Sequence, residues 1–139
     1  MYIEFEDSLL TGNKEIDGQH KEWIDRINKL TKACEVTTGK MEAIKMVDYM
    51  ADYAEFHFAA EEKLQEETGY PGIEEHKAKH EQFRQAVKEL HEMLEEEGPT
   101  DAFVNAINKN VVDWVFDHIK GFDCSVASYI NMKNNSEML

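Results

Sequence analysis

Long stretches without helix-breaking residues constrain this chain more than any other feature of its sequence. Its 139 residues include only two prolines and seven glycines, and both residue types interrupt helices. Most of them fall into three short breaks, at residues 37–39, 68–72 and 98–100. Gly, Pro and Thr are typical of helix ends, and short connections join antiparallel neighbours. The chain is therefore predicted to form an all-α, up-down-up-down four-helix bundle.

A single domain is predicted for the whole chain, because 139 residues suffice for one hydrophobic core. Tyr2, Ile3 and Phe5 are expected to anchor the segment before the first helix. A short additional helix is expected from about Asp123 to Met132. The expected parts of the domain, in chain order, are an N-terminal arm (1–16), the helical bundle (17–132) and a tail (133–139).

Composition argues against several classes of function. The formal net charge of −14 speaks against nucleic acid and anionic membranes as partners, because phosphate contacts need clustered Lys and Arg. The N-terminus lacks the basic and apolar parts of a secretory signal, and no apolar run approaches the length of a membrane span. Cys34 and Cys124 follow no pattern, so we expect reduced thiols in a cytoplasmic protein. The sequence leaves a disulfide between them open.

Each predicted helix carries one apolar stripe with the i, i+3, i+4, i+7 spacing of a buried face. Histidines and one glutamate interrupt these stripes, at positions that should be dry. The four stripes are His20, Trp23, Ile27, Leu30 and Cys34; Met46, Met50, Tyr53, His57, Glu61 and Leu64; Ile73, His76, His80, Phe83, Val87, Leu90 and Leu94; and Phe103, Ile107, Val111, Trp114 and His118.

The polar interruptions also agree in height along the bundle. Because a helix rises about 1.5 Å per residue, the distance of a residue from a turn measures its height. His20 and His57 lie about 18 and 19 residues from the first break, centred near residue 38. The other polar positions match across the second and third breaks to within about one helical turn. All four helices therefore place coordinating side chains in one layer of the core.

A single histidine on an apolar stripe is more often a hydrogen-bonded core residue than a metal ligand. His91 keeps that interpretation, because it lies 11 residues beyond His80, too far to share a metal. Glu62 and residues 95–97 are assigned to a solvated face. Five histidines and Glu61 in one layer, however, cannot all be paired with one another, and each unpaired group costs about 1–3 kcal/mol. A bound metal would satisfy them together.

Spacing within the helices supports a metal site. Asp123 follows His118 by five residues, just past Gly121, where the fourth helix is expected to end. A carboxylate at that point can turn back towards the core. On the second and third helices, two pairs of polar residues have the i, i+4 spacing that places both side chains on one helix face. These pairs are His57 with Glu61 and His76 with His80.

Four segments of the chain resemble the hemerythrins, particularly the single-domain bacterial ones. They are residues 16–20 (IDGQH), 57–62 (HFAAEE), 70–80 (YPGIEEHKAKH) and 114–123 (WVFDHIKGFD). They occur in the family's order over nearly the whole chain. One histidine pair would be weak evidence, whereas seven positions across four helices are specific. The resemblance implies an antiparallel bundle that holds two iron ions and binds dioxygen.

The resemblance also implies a role for each ligand. Three histidines would bind one iron and two would bind the other, while two carboxylates and an oxo or hydroxo group would bridge both metals. The choice of iron (Fe2+/Fe3+) rests on the resemblance, because such a ligand set binds several divalent metals. The implied ligands are His76, His80 and His118 for the first iron, His20 and His57 for the second, and Glu61 and Asp123 as bridges.

A count of coordination positions favours binding over catalysis. Two octahedral ions offer about 12 positions, and the implied ligands leave one of them open, on the two-histidine iron. Dioxygen fits there, whereas a bulky substrate cannot contact both metals. Ferritin-like diiron proteins use more carboxylates and a Glu-x-x-His motif, which this chain lacks. The interpretation is therefore an oxygen carrier, store or delivery protein.

Two alternatives stay open. One is a diiron enzyme or sensor that reduces dioxygen, peroxide or nitric oxide, with an unidentified electron donor or oxygen-using partner protein. The other is a purely structural or iron-handling protein.

An apolar wall around the open position would exclude water and slow oxidation. The candidates are Trp23, Phe56, Trp114 and Ile119, and core packing would also explain each of them. Trp23 departs from the family pattern, because an aliphatic residue is expected one turn beyond His20. This departure would reshape the ligand pocket or the route into it.

Overall fold

Three long helices and a fourth helical stretch form the structure. The computed structural model describes residues 4–36 and 40–138, with the side chains of 35, 36 and 134–138 left out. Tyr2, Ile3, the predicted break at 37–39 and the last residue of the predicted tail lie outside the described residues. A 3-10 turn (Asp7–Leu9) precedes the helices α1 (Lys14–Val36), α2 (Lys40–Thr68) and α3 (Ile73–Glu97).

Neighbours in the chain are also neighbours in space. The helix α1 packs against α2, α2 against α3, and α3 against the fourth stretch. The predicted all-α fold with antiparallel up-down-up-down topology is confirmed. Its division into arm, bundle and tail stays a prediction.

The fourth stretch is continuous but not uniform. It contains α4 (Asp101–Ile107), α5 (Asp113–His118) and α6 (Cys124–Met138), with π-helical segments at Asn108–Val112 and Ile119–Asp123 between them. The prediction that the helix ends near Gly121 is wrong, because the backbone continues through this residue with i→i+5 hydrogen bonding. The predicted short helix from Asp123 to Met132 is instead the first part of the longer α6.

Local hydrogen bonds end the helices at the predicted breaks. Gly69 has a φ of 70°, and the Tyr70 N–H donates to the Gln65 carbonyl at 2.9 Å. This pattern is a Schellman motif, which needs a left-handed residue at its corner. The Thr100 hydroxyl caps α4 by accepting from the Phe103 N–H at 3.2 Å. The second and third predicted breaks are therefore confirmed.

The start of α1 is fixed by the residues before it. Asn13 Oδ1 accepts from the Ile16 N–H at 3.0 Å and thereby caps α1, which begins at Lys14. The buried Asp17 carboxylate accepts from the Thr11 N–H and from the Thr11 hydroxyl, both at 2.8 Å. These bonds tie the N-terminal arm to the first turn of α1.

Large apolar side chains fill the space between the helices. Trp23, Phe58, Phe83 and Phe103 are among the largest fully buried residues. Every predicted stripe residue of α1 is buried. On the other helices the stripe is narrower than predicted, because several of its members reach the edge of the interface. The half-buried members are Met46, Tyr53, Leu64, Ile73, Val87 and Trp114.

The remaining expectations concern a disulfide between the two cysteines and helices that could span a membrane. No disulfide joins Cys34 to Cys124. Within residues 4–36 and 40–138, no helix combines the length and the apolar character that crossing a membrane requires.

Candidate metal centre

All seven predicted ligands meet in one buried layer of the bundle. Their potential ligand atoms form two groups, and within each group these atoms lie within 4.8 Å of one another. Glu61 and Asp123 belong to both groups. The three-histidine group adds His76, His80 and His118, and the two-histidine group adds His20 and His57.

The three-histidine group is built around one oxygen from each carboxylate. His76 Nε2 lies 3.0 Å from Glu61 Oε1 and 2.9 Å from Asp123 Oδ1. His80 Nε2 lies 3.2 Å from the same Glu61 oxygen. His118 Nε2 lies 3.1 Å from the same Asp123 oxygen. The imidazole nitrogens of His76 and His118 are themselves 2.9 Å apart.

The two-histidine group uses the other oxygen of each carboxylate. His20 Nε2 lies 2.6 Å from Asp123 Oδ2, and His57 Nε2 lies 3.4 Å from it. His57 Nε2 is also 3.8 Å from Glu61 Oε2. Each carboxylate therefore directs one oxygen to each group, which is the geometry that a bridging ligand requires.

Helix periodicity explains how these side chains meet. On α2 and α3 the i, i+4 pairs stand one turn apart on one face. His118 and Asp123 are five residues apart, and the π-helical segment Ile119–Asp123 places them on one face because its turn contains one more residue. Both His118 and Asp123 are buried. The carboxylate is therefore delivered by a widened helical turn and not by a chain that folds back.

Three of the five histidines have a hydrogen-bond partner on the nitrogen that faces away from the centre. His57 Nδ1 lies 2.7 Å from Gln19 Oε1, and His80 Nδ1 lies 3.1 Å from Glu62 Oε2. In both cases Nδ1–H donates, so that the lone pair of Nε2 faces the centre. Such partners fix the tautomer and the ring orientation of a metal-binding histidine.

Gln65 plays a comparable part beside the third histidine. Its side-chain amide lies 2.8 Å from His76 Nδ1, and its Oε1 has no hydrogen-bond partner among the described residues. A half-turn of the amide, which exchanges two groups of the same shape, lets Oε1 accept from Nδ1–H. Gln65 lies one turn beyond Glu61 on the same face of α2, and this spacing could have identified it in the sequence.

Two assignments made from the sequence are wrong. Glu62 was assigned to the solvated face, but its side chain is only 21% exposed and contacts His80, because α3 covers that side of α2. Phe56 was a candidate for the apolar wall, but it is 57% exposed and contacts Tyr53, with ring centroids 5.4 Å apart. Phe58 is buried instead and stacks on His80 at 3.9 Å.

The other wall candidates are buried or half-buried, and their role around the open position stays a prediction. Trp23 and Ile119 are fully buried, and the half-buried Trp114 stacks on His118 with ring centroids 4.4 Å apart. His91 lies outside the layer and pairs with Asp48 at 2.6 Å. The glutamates at 95–97 are exposed.

The charges of the layer are strongly coupled. Burial lowers the pKa of His76, but its bonds to Asp123 and Glu61 outweigh burial and raise this pKa from 6.5 to about 9. Burial lowers the pKa of His118, and the His76 charge adds to that effect. Burial opposes ionisation of Asp123, yet the histidines around it, His118 first, hold its pKa well below its usual range. Protons and a metal ion thus compete for the same nitrogens.

Bound metal ions would satisfy the polar atoms of this layer better than hydrogen bonds among its own side chains do. Glu61 Oε2 is buried without a hydrogen-bond partner among the described residues. Three polar atoms lie within 3.0 Å of His76 Nε2, namely one oxygen of each carboxylate and His118 Nε2, although His76 Nε2 carries at most one hydrogen. Neutral imidazoles and carboxylates around one point are the donor set of divalent first-row metals. One cation within each group would satisfy all of these atoms.

Comparison with known proteins identifies the family of this chain. The family described as the hemerythrin HHE cation-binding domain matches residues 11–123. A bacteriohemerythrin of Stenotrophomonas maltophilia is 32% identical over 94% of this chain and 83% of its own. One from Pseudomonas aeruginosa (strain LESB58) is 32% identical over 97% and 84%. The solved structure of a hemerythrin point mutant superposes with a TM-score of 0.80 at 26% identity, over 92% of this chain and 96% of its own. This chain belongs to the hemerythrin family.

Proposed function

We propose that this protein binds dioxygen reversibly at a non-heme diiron centre and acts as an oxygen carrier, store or delivery protein. The proposal rests on the unequal numbers of histidines in the two groups. One group has three histidines and the other has two, and both share the same pair of carboxylates. With a bridging oxo or hydroxo group, the ion held by fewer side chains keeps one open position. The proposed ligands are His20, His57, Glu61, His76, His80, His118 and Asp123.

The surrounding side chains would hold this centre rigid and dry. When bound, iron supplies the electrons that dioxygen accepts on binding. Gln19, Glu62 and Gln65 keep three imidazoles oriented through their Nδ1 atoms. Phe58 covers the face of His80, and Trp23 packs beside His57 with ring centroids 5.4 Å apart. Excluding water in this way slows the loss of electrons from the reduced centre.

The donor set supports binding more than oxygen activation. Five neutral imidazoles and two carboxylates leave a reduced centre with a net positive charge, whereas the additional carboxylates of ferritin-like diiron sites supply anionic oxygens that stabilise higher oxidation states. The curated relatives are named bacteriohemerythrins, which supports iron as the metal. A cytoplasmic location and the absence of nucleic-acid and membrane partners stay predictions.

The proposal is tested by the visible spectrum of the iron-loaded protein. The protein is reduced under argon, exposed to air and returned to argon. We expect an absorption band that appears in air and fades under argon over repeated cycles. If the band never forms, or gives way at once to an oxidised spectrum that argon does not reverse, the carrier function is wrong. A diiron redox enzyme or sensor would then be the better interpretation.

A further inference from the structure

The indole N–H of Trp23 is buried without a partner. The side chain is fully buried, and Nε1 has no hydrogen-bond partner within the described part of the chain. Buried polar groups in folded proteins are nearly always paired with protein or with an ordered molecule. The indole thus offers a hydrogen bond that the packed bundle does not use.

Trp23 lies directly beside the two-histidine group. It follows His20 by one turn on the same face of α1. Its ring centroid lies 5.4 Å from that of His57 on α2. The rings of Phe58 and Phe83 lie 5.5 and 5.3 Å away on its other sides, and neither carries a polar atom. The donor therefore stands in an apolar layer that borders the end of the centre with fewer ligands.

A ligand from outside is expected at that same end. Four residues contribute to the two-histidine group and five to the three-histidine group, so the open coordination position belongs to the smaller group. The rings packed around Trp23 include one other indole N–H donor, Trp114, with ring centroids 6.4 Å apart. Trp114 stacks on His118 of the three-histidine group, whereas Trp23 is the indole that packs beside His57 of the two-histidine group. In a low-dielectric pocket a hydrogen bond to an anionic acceptor is strengthened.

We propose that Trp23 Nε1–H donates a hydrogen bond to the ligand at the two-histidine end and thereby favours ligands that carry negative charge. This inference rests on the proposed diiron function. An aliphatic side chain at this position could only exclude water, whereas the indole also discriminates among ligands. Trp23 is then a specificity-determining residue of this centre.

Azide binding tests the proposal, because azide is a small anionic acceptor. The iron-loaded, oxidised protein is titrated with azide and followed by its visible spectrum, alongside Trp23→Phe, which keeps an aromatic ring but removes the N–H. We expect the dissociation constant to rise about tenfold in Trp23→Phe, which corresponds to about 1.4 kcal/mol. The control Phe103→Leu removes a fully buried ring of the same core while leaving the rings around Trp23 in place, and its affinity should stay within about twofold of wild type.

The alternative explanations predict different changes in the azide affinity of Trp23→Phe. If Trp23 only fills space, Trp23→Phe makes room and binds azide more tightly, and the proposal is overturned. Unchanged affinity in Trp23→Phe overturns it as well. If the wild-type protein binds neither azide nor dioxygen, the proposed function fails together with this inference. If the wild-type protein binds azide and Trp23→Phe binds it with undiminished affinity, only the proposed role of Trp23 is refuted.

A second measurement does not depend on the variant's folding. The chain contains two tryptophans, so 15N-labelled protein gives two indole N–H resonances, assigned by Trp114→Phe. Azide should shift the Trp23 indole proton downfield, as a new hydrogen bond does. An azide-saturated protein whose Trp23 indole resonance does not move contradicts the proposal.

Discussion

Replacing Gln19 by leucine removes the acceptor for the Nδ1–H of His57 and leaves all seven proposed ligands in place. Gln19 is 8% exposed and His57 is fully buried, so bulk water does not replace the lost amide. An unpaired buried N–H costs about 1–3 kcal/mol. Loss of such a partner lowers metal affinity about 10–100-fold, or about 1.4–2.7 kcal/mol. The loss of affinity arises because metal binding at Nε2 requires the hydrogen on Nδ1, where the variant offers no acceptor, whereas in the metal-free protein the hydrogen can move to Nε2.

The position of His57 makes the expectation more specific. His57 belongs to the group with two histidines, so the weakening should fall on the ion held there. Metal-free Gln19→Leu is titrated with Fe2+ under argon against a competing chelator. We expect one equivalent to bind about 10–100-fold more weakly and the other to bind as in wild type.

Two further variants separate the hydrogen bond from general damage. Gln19→Glu keeps an acceptor beside Nδ1 and should recover most of the affinity. Gln85→Leu alters an exposed glutamine of α3 and should bind both equivalents normally. The reasoning fails if Gln19→Leu binds both equivalents like wild type, or if the two leucine variants behave alike.

Three other expectations follow from the structure. In the metal-free protein the pKa of His76 is raised from 6.5 to about 9, so protonated His76 contributes fully to stability below pH 6.5, and this contribution is lost as the pH rises through about 9. Chemical denaturation between these pH values should therefore show a falling free energy of unfolding. A free energy that does not change with pH contradicts the raised pKa. Asp123→Asn removes a carboxylate shared by both groups and should reduce the bound iron below two equivalents, measured by elemental analysis; two retained equivalents would exclude bridging by Asp123. Gly69→Ala forces alanine into a φ of 70° and should destabilise the fold by roughly 1–2 kcal/mol. Gly18→Ala lies within α1, where the added Cβ meets no neighbouring element within 4 Å, and should stabilise the fold by roughly 0.5–1 kcal/mol. Equal melting temperatures for the two variants would refute the conformational argument.

The helices could be predicted because their signals are local. Apolar residues at helical spacing define the buried faces, and the Gly and Pro residues of two breaks coincide with the observed ends of α2 and α3. Histidines on a stripe that should be dry identify the metal layer, because burial of several polar groups needs a common partner. These inferences need only spacing along each helix and the number of residues between a polar position and the nearest break.

The features missed from the sequence depend on contacts between helices. Glu62 differs from an ordinary surface glutamate only because α3 brings His80 within 3.1 Å of it. Gln19 becomes a partner of His57 only when α1 and α2 pack together. Phe56 and Phe58 lie on either side of His57, and their exposure is decided by which flank faces α3. Spacing within α2 does separate these two rings, because Phe58 continues the buried i, i+3, i+4 series through Ala54 and Glu61 and Phe56 does not.

The route of Asp123 to the centre could not be inferred from helical spacing either. In a regular α-helix, a residue five positions after His118 points away from the face that His118 occupies. A chain reversal past Gly121 was therefore the simplest way to bring the carboxylate inward. The π-helical turn achieves the same result within a continuous helix.

That widened turn has a consequence for anyone who would transplant the centre into an idealised bundle. The segment Ile119–Asp123 acts as a one-residue insertion, so the fourth stretch has no single helical wheel, and the phase of α6 is offset from that of α5. A regular helix would need the carboxylate four residues after His118, at the position of Phe122. Copying the seven proposed ligands without the insertion would turn the Asp123 carboxylate out of the core.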